Sequence, residues 1–138
     1  MRHNINTEYL FEVLQTVKHS SEESIVDEAM EHPYVLMGLI ISGVKSFDNI
    51  ADQYRKAYPE NFERVYEKVK GIYYDRLYTF LEGLDSSLFY HLRECNNHGK
   101  DRAAQALFRM IKEFERSEQY ERCAKAKKLL DAVITFTE

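Results

Sequence analysis

The chain has 138 residues, with 44% apolar and 30% charged side chains. That is enough apolar material for one core and suits one domain, 1–138. Nineteen basic against 23 acidic groups give a net charge of −4 and a pI near 5.8. This balance argues against a general phosphate-backbone binder, which needs a basic excess or a basic face. The longest clean apolar run, Val35 to Ile41, is far short of the ~20 residues that span a bilayer.

Apolar residues recur at three- and four-residue spacing, and the two prolines and five glycines are few for a β-rich fold, so helices are expected nearly throughout. The first runs from about Thr7 to Lys18 on a stripe of Leu10, Val13, Leu14 and Val17. Ser20-Ser21-Glu22-Glu23 has the form of a capping box and opens a second helix carrying Ile25, Val26 and Ala29. Pro33 disfavours helical geometry in His32 and suits the first turn of a third helix, Pro33 to about Ser42, apolar on every side. Gly43 is read as its end and Ser46-Phe47-Asp48 as the start of a fourth helix with Ile50, Ala51 and Tyr54.

Pro59 opens the longest predicted element, which reaches Leu84. Its stripe takes in Phe62, Val65, Tyr66, Val69, Ile72, Tyr73, Leu77, Phe80 and Leu81, while Tyr74 and Tyr78 fall on a neighbouring face. A short helix with Leu88, Phe89, Leu92 and Cys95 follows, then the turn-rich stretch Asn96 to Lys100. Two last helices, one lined by Ala104, Leu107, Phe108, Ile111 and Phe114, the other by Tyr120, Cys123, Ala124, Leu130, Val133 and Ile134, are joined only by Ser117-Glu118-Gln119. So short a joint implies an antiparallel hairpin. The expected fold is all-α: an irregular bundle of six to seven helices around one long central helix, closed by that hairpin.

The chemistry-bearing patterns are sparse. No phosphate-cradling glycine loop, nucleophile elbow or His-Glu-x-x-His string is present. Glu28 and His32 are four apart, but one carboxylate and one imidazole are too few ligands for a metal site, so neither metal nor cofactor is expected. Cys95 and Cys123 form no Cys-x-x-Cys pair; two reduced thiols in a cytoplasmic protein is the simpler reading, with a single disulfide between them left open.

Arg93-Glu94-Cys95-Asn96-Asn97-His98 resembles the Arg-x4-6-His motif of the HEPN families, helical-bundle RNases. The resemblance implies His98 as the proton-transfer group and Arg93 as the phosphate-steadying cation. It departs from those enzymes at Glu94, where they favour a small polar or amide side chain. The same string also reads as an ordinary helix end followed by a turn.

The final hairpin, with Glu118-Gln119-Tyr120-Glu121-Arg122-Cys123-Ala124 ahead of Lys125, Lys127 and Lys128, resembles the UVR-type hairpin of bacterial excision-repair proteins and tetratricopeptide-like helix pairs. That resemblance implies a protein-docking or dimerising element and covers under a quarter of the chain.

Ten tyrosines offer anchors for an interface. Tyr74 and Tyr78 are one candidate pair. Tyr54 and Tyr58 are another, interleaved with Arg55, Lys56 and Arg64 but diluted by Glu60 and Glu63. The first 58 residues carry nine acidic and five basic groups, which makes Glu22, Glu23 and Asp27 candidates for steering a basic partner. The expected function is therefore a small acidic cytoplasmic adaptor or inhibitor, of bacterial or phage regulatory, immunity or anti-defence type. It would bind a protein partner, with a homo-oligomer as a further option. A HEPN-like RNase and a structural virion or assembly component are the alternatives.

Overall fold

A computed structural model describes residues 27–138. All regular structure among these residues is helical. After helical residues 27–29 come α1 (Pro33–Ala57), α2 (Pro59–Glu82), α3 (Phe89–Asn96), α4 (Lys100–Arg116) and α5 (Tyr120–Thr135). No helix among the described residues is long and apolar enough to cross a membrane.

α1 starts as its sequence dictates. Pro33 occupies the first turn, and His32, in extended backbone, accepts the Tyr34 N–H on Nδ1. The helix then runs through Gly43 without a break, so the boundary expected at Gly43 to Ser46 is not there. The reason is energetic. A helical glycine costs about 1 kcal/mol relative to alanine, whereas the uninterrupted helix buries Leu36, Ile40, Val44, Phe47 and Ala51 along one face.

One residue, Tyr58, separates α1 from α2. The two helices fold back on each other: Phe47 meets Tyr66 and Tyr73, and Leu36 lies against Gly83. They have nearly equal lengths, 25 and 24 residues, and it is α1 that touches α2, α3 and α4. The bundle is built on both long helices: α2 has the length expected from Pro59, and α1, apolar on most sides, packs along it.

α3 is short and stands against α1, α4 and α5. Gly99, at φ 105, occupies a backbone region that suits glycine and turns the chain into α4. α4 and α5 form the expected antiparallel hairpin, joined at Ser117 to Gln119, where Glu118 takes the left-handed conformation and the Gln119 N–H donates to the Phe114 carbonyl. Lys100 Nζ closes the far end by donating to the Ile134 and Phe136 carbonyls at 3.0 and 2.7 Å.

Candidate functional site

Tyr74 is 2% exposed, which corrects its assignment to a docking surface. Its ring meets Phe47 of α1 and Phe114 of α4, each edge-on. Burial pushes its phenol up to about 12. Tyr78 is half-buried, edge-on to Phe114 at 5.7 Å and capped by the Arg122 guanidinium at 4.5 Å from its ring centre. The α4–α5 hairpin covers the face both tyrosines occupy.

The opposite flank of α2 is open. Val69 and Ile72, expected in the core stripe, are 46% and 50% exposed. With half-buried Val65 they form a row at four- and three-residue spacing, which places them on one side of the helix. Phe108, Tyr120 and Ile134 also point out of the core they were expected to line.

Tyr54 and Tyr58 sit at the α1–α2 corner in a ladder of rings. Tyr54 contacts Tyr58 and Phe62 at 5.8 and 6.1 Å, and Phe62 continues to Tyr66 at 4.6 Å. Arg55 lies over Phe62 at 4.7 Å. Asp52 pairs with both Arg55 and Lys56, and Arg64 donates to the Asn61 side-chain oxygen. Glu22 and Glu23 lie outside the described residues; Asp27 is exposed.

Arg93 and His98 have different partners. Arg93 stacks over Tyr90 and pairs with Glu94 at 3.4 Å. The His98 ring stacks on Tyr34 at 3.9 Å, lies against Gly38, and places Nε2 at 2.7 Å from the Tyr34 carbonyl. His98 thus docks the α3–α4 turn onto α1.

The cysteines are buried and free. Burial, with Glu94 nearby, pushes the Cys95 thiol up to about 12 and keeps it in its unreactive form.

The most highly charged part of the structure was not singled out from sequence. A cleft between α2 and α4 has Lys70 and Tyr74 on one wall and Arg109, Lys112, Glu113 and Arg116 on the other. Glu113 is 4% exposed. It accepts from Lys70 at 3.1 Å and from Arg116 at 3.0 and 2.7 Å, while Arg116 also reaches Glu67 at 2.7 Å. Arg109 holds Asp48 of α1 in a two-pronged pair at 2.6 Å. The Asp48 bonds raise the Arg109 pKa further. Each acid in this network joins α4 to α1 or α2, so three of the four cations named are paired between helices, while Lys112 lies over Phe108. The sequence does carry a signal: Glu113 lies three residues after Met110 on the apolar stripe of α4, an unusual place for a carboxylate.

No protein family, curated protein or solved structure matched the chain.

Proposed function

We propose that this chain is a small protein-binding adaptor or inhibitor that works through the outer flank of α2, in the cytoplasm. The observation that carries this reading is the exposed pair Val69 and Ile72, in a row with half-buried Val65. A helix normally turns its apolar positions inward, and here an apolar flank continues past the edge of the core. A partner helix or sheet covering this row would remove two large aliphatic side chains from water without rearranging the bundle.

Val69→Glu with Ile72→Glu tests the reading. Both sites are half exposed, so stability should change by less than about 1 kcal/mol. Capture of the native partner from the host, read by quantitative mass spectrometry, should fall at least about tenfold, as expected when anchors lose roughly 1.4 kcal/mol or more. Retained capture by a folded double variant would end the proposal. So would RNA cleavage by the purified protein that Arg93→Ala or His98→Ala abolishes.

A further inference from the structure

All three histidines among the described residues gather around α3, and each is held by a hydrogen bond from a ring nitrogen to the backbone. His32 Nδ1 accepts the Tyr34 N–H at 3.2 Å, which leaves the ring proton on Nε2, 3.0 Å from the Tyr90 hydroxyl of α3. His91 Nδ1 accepts the Asp85 N–H at 2.9 Å and so ties the loop after α2 to α3. His98 Nε2 faces a carbonyl, which only accepts, so the proton is again on Nε2. Each ring can carry hydrogen on Nε2, and the bonds at His32 and His91 also require a bare Nδ1.

We propose that α3 with its flanking loops, residues 85–99, is an acid-loosened latch, fastened most firmly while the imidazoles of His32, His91 and His98 are neutral. A proton added at Nδ1 meets a backbone N–H already pointing at that atom: at His91 this breaks the tie between Asp85 and α3, and at His32 it uncaps α1 while leaving the Nε2 contact to Tyr90 in place. At His98 the added charge is placed in a half-buried ring pressed on Tyr34 and Gly38. The charged and titratable groups around the rings include Glu94 and Arg102 at His98, Asp85 at His91 with Lys125 acting on the same carboxylate, and Tyr90 beside His32 and His91 with Arg93 stacked on its ring. Asp85 is itself held in its charged form by its bonds to Ser87.

The direction at His98 agrees. Burial lowers its pKa, with Arg102 adding to that and the Tyr34 carbonyl and Glu94 opposing it. The unfolded chain therefore takes up the proton first. The ring's contribution to stability is complete above the ordinary histidine pKa and shrinks as pH falls from there toward the lowered folded value.

Hydrogen exchange of the full chain, corrected for the intrinsic pH dependence of amide exchange, provides the test. Between about pH 7.5 and about pH 5, the Asp85 and α3 amides should lose roughly tenfold or more of their protection relative to α4–α5. A triple variant, His32→Asn, His91→Asn and His98→Gln, keeps an acceptor or an N–H donor at each place but cannot titrate there. Its α3 protection should stay flat over the same range. A flat wild-type profile, or a triple variant that loses protection like the wild type, would overturn the latch. Should the triple variant fail to fold, imidazole nitrogen spectra of the wild type decide. Nε2–H tautomers at all three rings, with the Tyr34 and Asp85 amides shifting in step with ring protonation, support it; amides that stay fixed while the rings titrate sink it.

Discussion

Phe114→Ala is expected to destabilise the protein by about 3–5 kcal/mol, the range for emptying a fully buried aromatic site. Phe114 is completely buried where α4 reaches α2. Tyr74 and Tyr78 both stand edge-on to its ring, at 6.4 and 5.7 Å, and the Arg122 guanidinium lies at 5.9 Å. Truncation therefore removes two aromatic pairs as well as buried area, and the surrounding phenols are too long and too well seated to collapse into the void. The loss is a large share of the roughly 5–15 kcal/mol that holds a typical domain together. At about 3 °C per kcal/mol for a chain of this length, Tm should fall by roughly 10–15 °C. Phe108→Ala, at an exposed position on the same helix, should change stability by less than about 0.5 kcal/mol. Phe114→Leu should fall between the two. Calorimetric scans of the three variants separate these outcomes; a small loss at Phe114 would mean that α4 does not rest on the tyrosines of α2.

That contact also shows where the sequence stopped being informative. The α4–α5 hairpin was legible because its cause is local: two stripes and a three-residue joint leave only an antiparallel return. The helical class, the helix start at Pro33 and the α1–α2 corner near Pro59 were legible for the same reason. Tyr74 was not, because periodicity assigns a residue to a face and is silent on what arrives to cover it. The covering element comes 40 residues later, when Phe114 reaches that face. Val69 and Ile72 are the complementary error: apolar spacing put them in the core, yet both stay about half exposed. At Gly43 a local signal was visible but outweighed by burial on both sides of it. His98 was read as a possible reacting group when its neighbourhood was only the six residues from Arg93. Tyr34, 64 residues away in sequence, makes it a docking group.

Glu113→Ala should cost about 1.5–3 kcal/mol, less than the cost of opening a fully buried pair because its cations are partly wet. The Lys70 side chain retains 19% of its exposure and Arg116 retains 46%, whereas Glu113 retains 3%. Removing the carboxylate strands Lys70, while Arg116 keeps Glu67. Glu113→Gln should be milder, since the amide oxygen still accepts but the charge is gone. The decisive variant changes both ends. Lys70→Met with Glu113→Leu replaces an ion pair by apolar surface of similar length, and should recover most of the loss from Glu113→Ala. Urea melts would show this as a midpoint that drops in the single variant and returns in the double, with the slope unchanged. If the double variant is no more stable than the single, the carboxylate supports α4 through its hydrogen bonds to Arg116 rather than through Lys70. If Glu113→Ala is itself neutral, the network does not set the spacing of α2 from α4. In the expected case, partner capture through Val69 and Ile72 should follow the same order as stability, because those side chains are carried on the helix that Lys70 and Glu67 tie to α4.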